Sequence, residues 1–215
     1  MMAAIFNLAA VLCGVLALAS GVHASSEPRV WNFRAFLDDA PIGYHRFTLS
    51  GEGAARELKS ETRFEVKILF VTAYRYVHDA TERWRGNCLE GLSARTDDNG
   101  ERSVVDAAGN AEGLVVTATK GREALPGCVM SFAYWNPQML RQSRLLNAQT
   151  GKFETANIAL LGEETITVRG APLTAKRFRI TGPKNPIDLW YSATDEWLAL
   201  ESIVGSGRRL RYSLM

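Results

Sequence analysis

The chain has 215 residues, of which 47% are hydrophobic and 22% charged, with a formal net charge of +2. These values exclude a disordered polypeptide and leave too little positive charge for a polyanion partner, so no nucleic acid is expected. The densest basic cluster, Arg208-Arg209 with Arg211, is short and reads as a solvated strand edge rather than a basic face.

The first two dozen residues stand apart. From Ala3 to Ala24 there is no Asp, Glu, Lys or Arg, and an apolar run from about Ile5 to Ala19 leads to Val22-His23-Ala24. An apolar core followed by small residues is the pattern of an export signal cut near Ala24. A charged n-region is missing apart from the amino terminus, and a retained anchor is the rival reading. The run is short beside the roughly 20 residues needed to span a bilayer. The expected organisation is therefore a signal peptide over 1–24 and a single β-rich domain over 25–215. The mature protein is expected to be periplasmic or secreted, with no transmembrane segment after signal removal.

Cys13 would leave with the signal, so Cys88 and Cys128 remain. Two cysteines in an oxidising compartment predict one disulfide. In the chain-entropy model, closing a loop of about 40 residues stabilises the fold by roughly 4 kcal/mol. No CxxC and no histidine cluster completes a metal site, and no cofactor is expected.

The rest reads mainly as strands. In "VWNFRAFL", Trp31, Phe33 and Leu37 share one parity, and the turn "DDAPIG" leads to the strand "YHRFTLS". In "ELKSETRFEVKILF", Leu58, Thr62, Phe64, Val66, Ile68 and Phe70 fall on even positions, while Glu61, Arg63, Glu65 and Lys67 fall on odd ones. That is a sheet with one dry and one wet face. "AYRYVHDATERW" keeps the parity with Tyr74, Tyr76 and Trp84. "DDNG" (97–100) is a hairpin turn, because Asn-Gly tolerates positive φ.

"CVMSFAYWNP" (128–137) places a cysteine and three aromatics before an Asn-Pro pair. Asn136 is an N-cap candidate and Pro137 suits a first helical position, so a short helix carrying Met139, Leu140, Ser143 and Leu146 is predicted. Strands follow again, "FETANIALL", "ETITVRG", "LTAKRFRIT", "IDLWYSA", "WLALESIV" and "RRLRYSL", with turns at Gly162, Gly170-Ala171-Pro172, Gly182-Pro183, Asp195-Glu196 and Gly205-Ser206-Gly207. The predicted fold is mainly β, a curved antiparallel meander, open or partly closed into a barrel, with the short helix packed on it or plugging it.

Catalytic motifs are lacking: no G-x-S-x-G, H-E-x-x-H, Walker loop or G-x-G-x-x-G occurs where it would need to. On a strand His78 and Glu82 share a face and Asp79 points the other way, which makes His78 and Glu82 a possible polar site or a solvated rim pair. Aromatics are abundant, and Tyr74, Tyr76, Phe132, Trp135 and Trp190 could line a site for a lipid or apolar small molecule, or could fill a core.

Taken together, "GYHRFTL", "YRYVHDATERWRGNCLEGLSARTDDNG", "LPGCVMSFAYWNP", "RLLNAQTG" and "LWYSATDEWLALES" resemble a family of exported bacterial proteins, the domain-of-unknown-function family 6134, from about Val30 to Leu214. That resemblance implies no established reaction. Strand order and the "LWYSATDEWLAL" hairpin carry a weaker likeness to periplasmic lipoprotein carriers, in which a curved sheet wraps a helix. The expected function is non-catalytic binding of a hydrophobic ligand. The alternatives are an envelope interaction module, its protein partner unknown, and a hydrolase using His78 and Glu82.

Overall fold

A computed structural model describes residues 27–119 and 121–215, so the predicted signal peptide and its cut near Ala24 lie outside the described residues. The first meander comprises β1 (Arg29–Leu37), β2 (Ala40–Glu52), β3 (Ala55–Ile68), β4 (Val71–Arg85), β5 (Cys88–Asp98), β6 (Glu101–Gly109), β7 (Gly113–Ala118) and β8 (Gly121–Pro126). A crossing segment, 127–156, holds only the short hairpin of β9 (Arg144–Leu146) and β10 (Phe153–Thr155) and a 3-10 turn. The second meander is β11 (Asn157–Val168), β12 (Ala171–Thr181), β13 (Ile187–Tyr191), β14 (Trp197–Val204) and β15 (Arg208–Leu214).

The two meanders form one antiparallel sheet because the last strand pairs with the first, from Phe33 opposite Leu214 to Leu37 opposite Leu210. The order runs β11 to β15, then β1 to β8, and the sheet does not close: β8 and β11 are its two edges.

The sheet must bend, and the crossing segment shows how far. Adjacent residues Tyr134 and Trp135 touch Trp197 on β14 (centroids 5.2 Å) and Trp84 on β4 (5.5 Å). Those strands are five intervals apart in the sheet, about 24 Å on a flat one. Only a sheet curled around the crossing segment brings both within reach. The segment lies in the concave face like a plug, and Val129, Met130, Ala133, Met139, Leu145 and Leu146 are all buried there. Gly151 shows how close the approach is: with φ +72° and a Cβ position 2.7 Å from Ala118 Cβ, it has no room for a side chain against β7.

The predicted helix is corrected to a 3-10 turn, Pro137–Arg141. Asn136 does cap it, accepting from the Gln138 N–H at 3.1 Å, and proline does occupy the first turn. The turn cannot extend, because Arg144–Leu146 is drawn out straight to pair with β10. Gly162 marks a bulge within β11 rather than a turn between two strands. Phe70, placed by parity on the dry face, is instead fully exposed at the β3–β4 hairpin tip. There Leu69 (φ +48°) and Phe70 (φ +70°) adopt the paired positive φ of a primed turn without glycine.

Cys88, opening β5, and Cys128, opening the plug, lie at disulfide-bonding distance, with Cα atoms 4.9 Å apart. A backbone hydrogen bond from the Leu89 N–H to the Val129 carbonyl (2.8 Å) runs beside them. The plug is therefore fastened to the sheet where it enters the concave face.

Candidate functional site

Alternation in β2 to β6 aims one residue in two at the plug. One inward row crosses the strands as Phe33, His45, Thr62, His78, Thr96 and Ser103, each directly opposite the next. Five of these six are polar, on the dry side of the sheet. The neighbouring row is Phe47, Ser60, Ala80 and Ala94. Its small side chains leave a depression that the plug roofs without filling.

The result is a cavity of about 300 Å³ between sheet and plug. Ser60 and Ala80 belong to its floor, His45, Thr62 and His78 of the polar row border it, and Phe132, Tyr134 and Trp135 come from the plug. Tyr212, Leu200 and Leu210 close it from the second meander. The site thus draws on both meanders and on the segment joining them.

Its polar groups are held in specific ways. The His45 Nε2 lies 2.7 Å from Ser60 Oγ and its Nδ1 3.3 Å from Tyr212 Oη. The His45 ring also stacks on Phe47 with centroids 3.9 Å apart. Burial drives its pKa well below the ordinary value, and the nearby His78 adds to this. The His78 Nδ1 lies 2.8 Å from Thr96 Oγ1. Burial lowers its pKa to about 4, Asp79 working against that shift and Arg63 with it. Both imidazoles are neutral at pH 7.

Glu82 is the converse. Burial raises its pKa to about 7, even though the Ser131 hydroxyl and the Trp84 indole favour the charged form. Trp84 Nε1 donates to its carboxylate at 3.0 Å, while Ser131 Oγ makes no hydrogen bond of standard geometry. Burial also pushes up the phenols of Tyr76, Tyr134 and Tyr212, which stay protonated. Two residues lining the cavity carry buried polar atoms with no partner in the protein, Thr62 Oγ1 and Trp135 Nε1.

Of the residues singled out from sequence, the structure brings Tyr76, His78, Glu82, Phe132 and Trp135 to this cavity. Tyr74 and Trp190 lie elsewhere. Tyr74 is one step nearer the hairpin tip, opposite Val66, and donates to Asp98 at 2.7 Å. Trp190 pairs with Arg177 and Ala199, on the convex side of the strand whose Leu189 faces inward with Leu200. Its indole donates to Glu164 and packs under Arg177. Period-two parity alone could not tell which face of β13 would be covered, since β13 is buried on both.

His78 and Glu82 border one cavity but do not meet. Ala80 stands between them on β4, and four residues of strand span about 13 Å. The serine–histidine contact present is Ser60–His45, on a different pair of strands. Nothing local in the sequence marked it, because only the β2–β3 register sets the distance. Burial also makes His45 a weak base, because it disfavours the imidazolium that taking up a proton would form.

No group of three or more His, Cys, Asp or Glu residues is arranged to hold a metal ion among the described residues. Among them, too, no helix is long and apolar enough to cross a membrane.

An open, strongly curved antiparallel sheet wrapped on its own crossing segment defines a barrel-like β protein. The structure is similar to the crystal structure of a beta-barrel-like protein of the domain of unknown function DUF1849 from Brucella abortus, with a TM-score of 0.61. The two are 11% identical, and the similarity covers 89% of this chain and 98% of that one, so they share a fold. The chain itself belongs to the family described as domain of unknown function DUF6134, whose model matches residues 33–215. No curated protein matches it.

Proposed function

We propose that this protein is exported and binds a small, largely apolar molecule in the cavity between sheet and plug, without catalysing a reaction on it. The observation that carries the reading is a cavity of about 300 Å³ between sheet and plug, bordered by polar groups of His45, Ser60, Thr62 and His78 and walled by aromatic side chains. Small-molecule sites are largely apolar with a few placed polar groups, and Tyr76, Phe132 and Trp135 supply the apolar walls here. The apolar leader and the Cys88–Cys128 pair support an oxidising, exported destination.

The capacity limits the ligand. At about 30 Å³ per water-sized group, the cavity seats on the order of ten non-hydrogen atoms. A whole phospholipid does not fit within it, and a lipid would leave most of its chains outside the mouth.

Native mass spectrometry with organic extraction, on mature protein purified gently from its compartment, tests the reading. A reproducible co-purifying small molecule is expected, with binding lost in a folded Trp135→Ala variant. A clean protein mass, with no uptake of apolar fluorophores, would overturn it.

A second reading, an envelope interaction module, rests on the open β8 and β11 edges and on the exposed apolar tip Ile68–Val71. Open edges accept an added strand. Capture of one defined partner by the wild type, abolished by proline in β11, would favour it.

A further inference from the structure

The cavity between sheet and plug is lined by formal charge of one sign. Glu82 of β4 and Glu154 of β10 both line it, and no lysine or arginine does so among the described residues. Glu82 is 6% exposed, and the Trp84 indole donates to its carboxylate at 3.0 Å. Glu154 accepts from Asn147 Nδ2 at 3.0 Å and lies near enough to Tyr134 to help keep that phenol protonated. Both donors are neutral, so neither supplies a countercharge. Arg56 stands outside the lining: its guanidinium stacks over the Trp135 ring and is committed to the Gly86 carbonyl.

The rest of the lining also suits a cation. His45 and His78 are neutral at pH 7, so no positive group opposes one. Tyr76, Phe132, Tyr134 and Trp135 contribute aromatic walls, and aromatic faces attract cations through the ring quadrupole. A buried carboxylate is costly to ionise alone, and a cation hydrogen-bonded to it offsets that cost. An anion meets the reverse, two carboxyl groups and no basic side chain. A zwitterionic lipid headgroup carries an ammonium too, but it brings a phosphate that finds no partner.

Resting on the binding reading above, we infer that the ligand is a compact organic amine, bound as its ammonium ion, with Glu82 as the pairing carboxylate. Its apolar body lies over Ala80 and against Phe132. Glu154 is only half-buried, so water screens its charge. It draws the cation toward the cavity and holds it less strongly than Glu82 does.

Four probes separate the possibilities: octylamine, octanol, octanoate and the hexyl ester of phosphoethanolamine, titrated calorimetrically into the full mature chain at pH 7.5. Octylamine is expected to bind at least about tenfold more tightly than octanol, the gain of one charge-assisted hydrogen bond. Octanoate and the phosphate ester are expected to bind more weakly than octanol. Glu82→Gln should remove the preference for octylamine over octanol, and Glu154→Gln should reduce it by less.

The wild type supplies a second measurement that needs no variant to fold. Its preference for octylamine should shrink between pH 8 and pH 6, because Glu82 takes up a proton near pH 7. Of the other ionisable groups in the lining, His45 and His78 stay neutral over that range and Tyr76, Tyr134 and Tyr212 stay protonated, which leaves Glu154. Glu82→Gln should flatten the pH dependence, which separates the two carboxyls.

Octanol or octanoate binding as tightly as octylamine would overturn the charge inference while leaving the cavity reading intact. The phosphate ester binding as tightly as octylamine would make the source a lipid headgroup and overturn the free amine. A preference that survives in Glu82→Gln, falls further in Glu154→Gln, or stays constant from pH 8 to pH 6 would remove Glu82 as the partner and overturn the inference as stated. Binding of none of the four probes would overturn the cavity reading, and this inference with it.

Discussion

Trp135 of the plug meets Trp84 of β4 edge to face, with ring centroids 5.5 Å apart and planes at 88°. Trp84 is 1% exposed and Trp135 5%, so the pair joins the crossing segment to the sheet through the interior. The same Trp84 indole donates to Glu82, which links plug, sheet and cavity in one contact chain.

Trp135→Ala removes a large buried side chain from that contact. A loss of about 3–5 kcal/mol is expected, read by urea denaturation. Trp190→Ala, on the convex face, should leave ligand uptake unchanged while Trp135→Ala abolishes it. Equal loss of uptake in both would show that the two tryptophans serve one site.

Glu82 should make the protein less stable as pH rises. Unfolded, its carboxyl ionises from about pH 4.5; folded, it keeps its proton up to about pH 7. Stability is lost through that window, by roughly 3 kcal/mol once both states are ionised. Glu82→Gln should therefore gain on the wild type at pH 8 and match it far more closely at pH 4.5. A constant difference across the range would show that Glu82 is not held neutral.

The histidines act at the other end. His78 refuses a proton down to about pH 4 when folded but accepts one from about pH 6.5 when unfolded. Stability is lost as pH falls through that window. Because Glu82 works in the opposite sense between pH 4.5 and 6.5, the effect is best measured in a Glu82→Gln background. Adding His78→Gln there should flatten the acid-side loss by up to roughly 3 kcal/mol.

Non-reducing peptide mapping of exported protein should recover Cys88 linked to Cys128. Reduction is expected to cost about 4 kcal/mol, from the 40-residue separation. Two free thiols in the mature protein would refute the linkage. Amino-terminal sequencing of the same material should start near Ser25.

The β3–β4 tip stores avoidable strain. Leu69 and Phe70 hold positive φ, which costs a non-glycine residue roughly 1–2 kcal/mol. Replacing them with Asn-Gly should raise stability, seen as a higher thermal midpoint. A lower midpoint would mean that the exposed Phe70 ring stabilises the fold.

Much of the architecture is legible in local sequence, for physical reasons. Alternation in "ELKSETRFEVKILF" follows from a sheet with one face covered, and it places Thr62 and Phe64 inward. Asn99-Gly100 specifies its turn because both positions need positive φ, and both have it. Asn136-Pro137 specifies the start of a turn, but not its length. That was decided by the competing pairing of Arg144–Leu146 with Phe153–Thr155. Phe70 was misplaced because hydrophobic parity carries no signal for where a hairpin reverses when no glycine or asparagine marks it.

The sequence by itself determined the β class, the parity of strands covered on one face, the cysteine pairing and the aromatic supply. The tertiary structure alone decided that β15 joins β1, that residues 127–156 fold into the concave face, and that the sheet stays open. It also brought His45 to Ser60 and left Thr62 without a partner between two neutral histidines. Parity is a property of neighbouring residues, written in a few consecutive positions. A cavity depends on which rows of small residues are covered by which distant segment, and that depends on register and curvature summed over many strands.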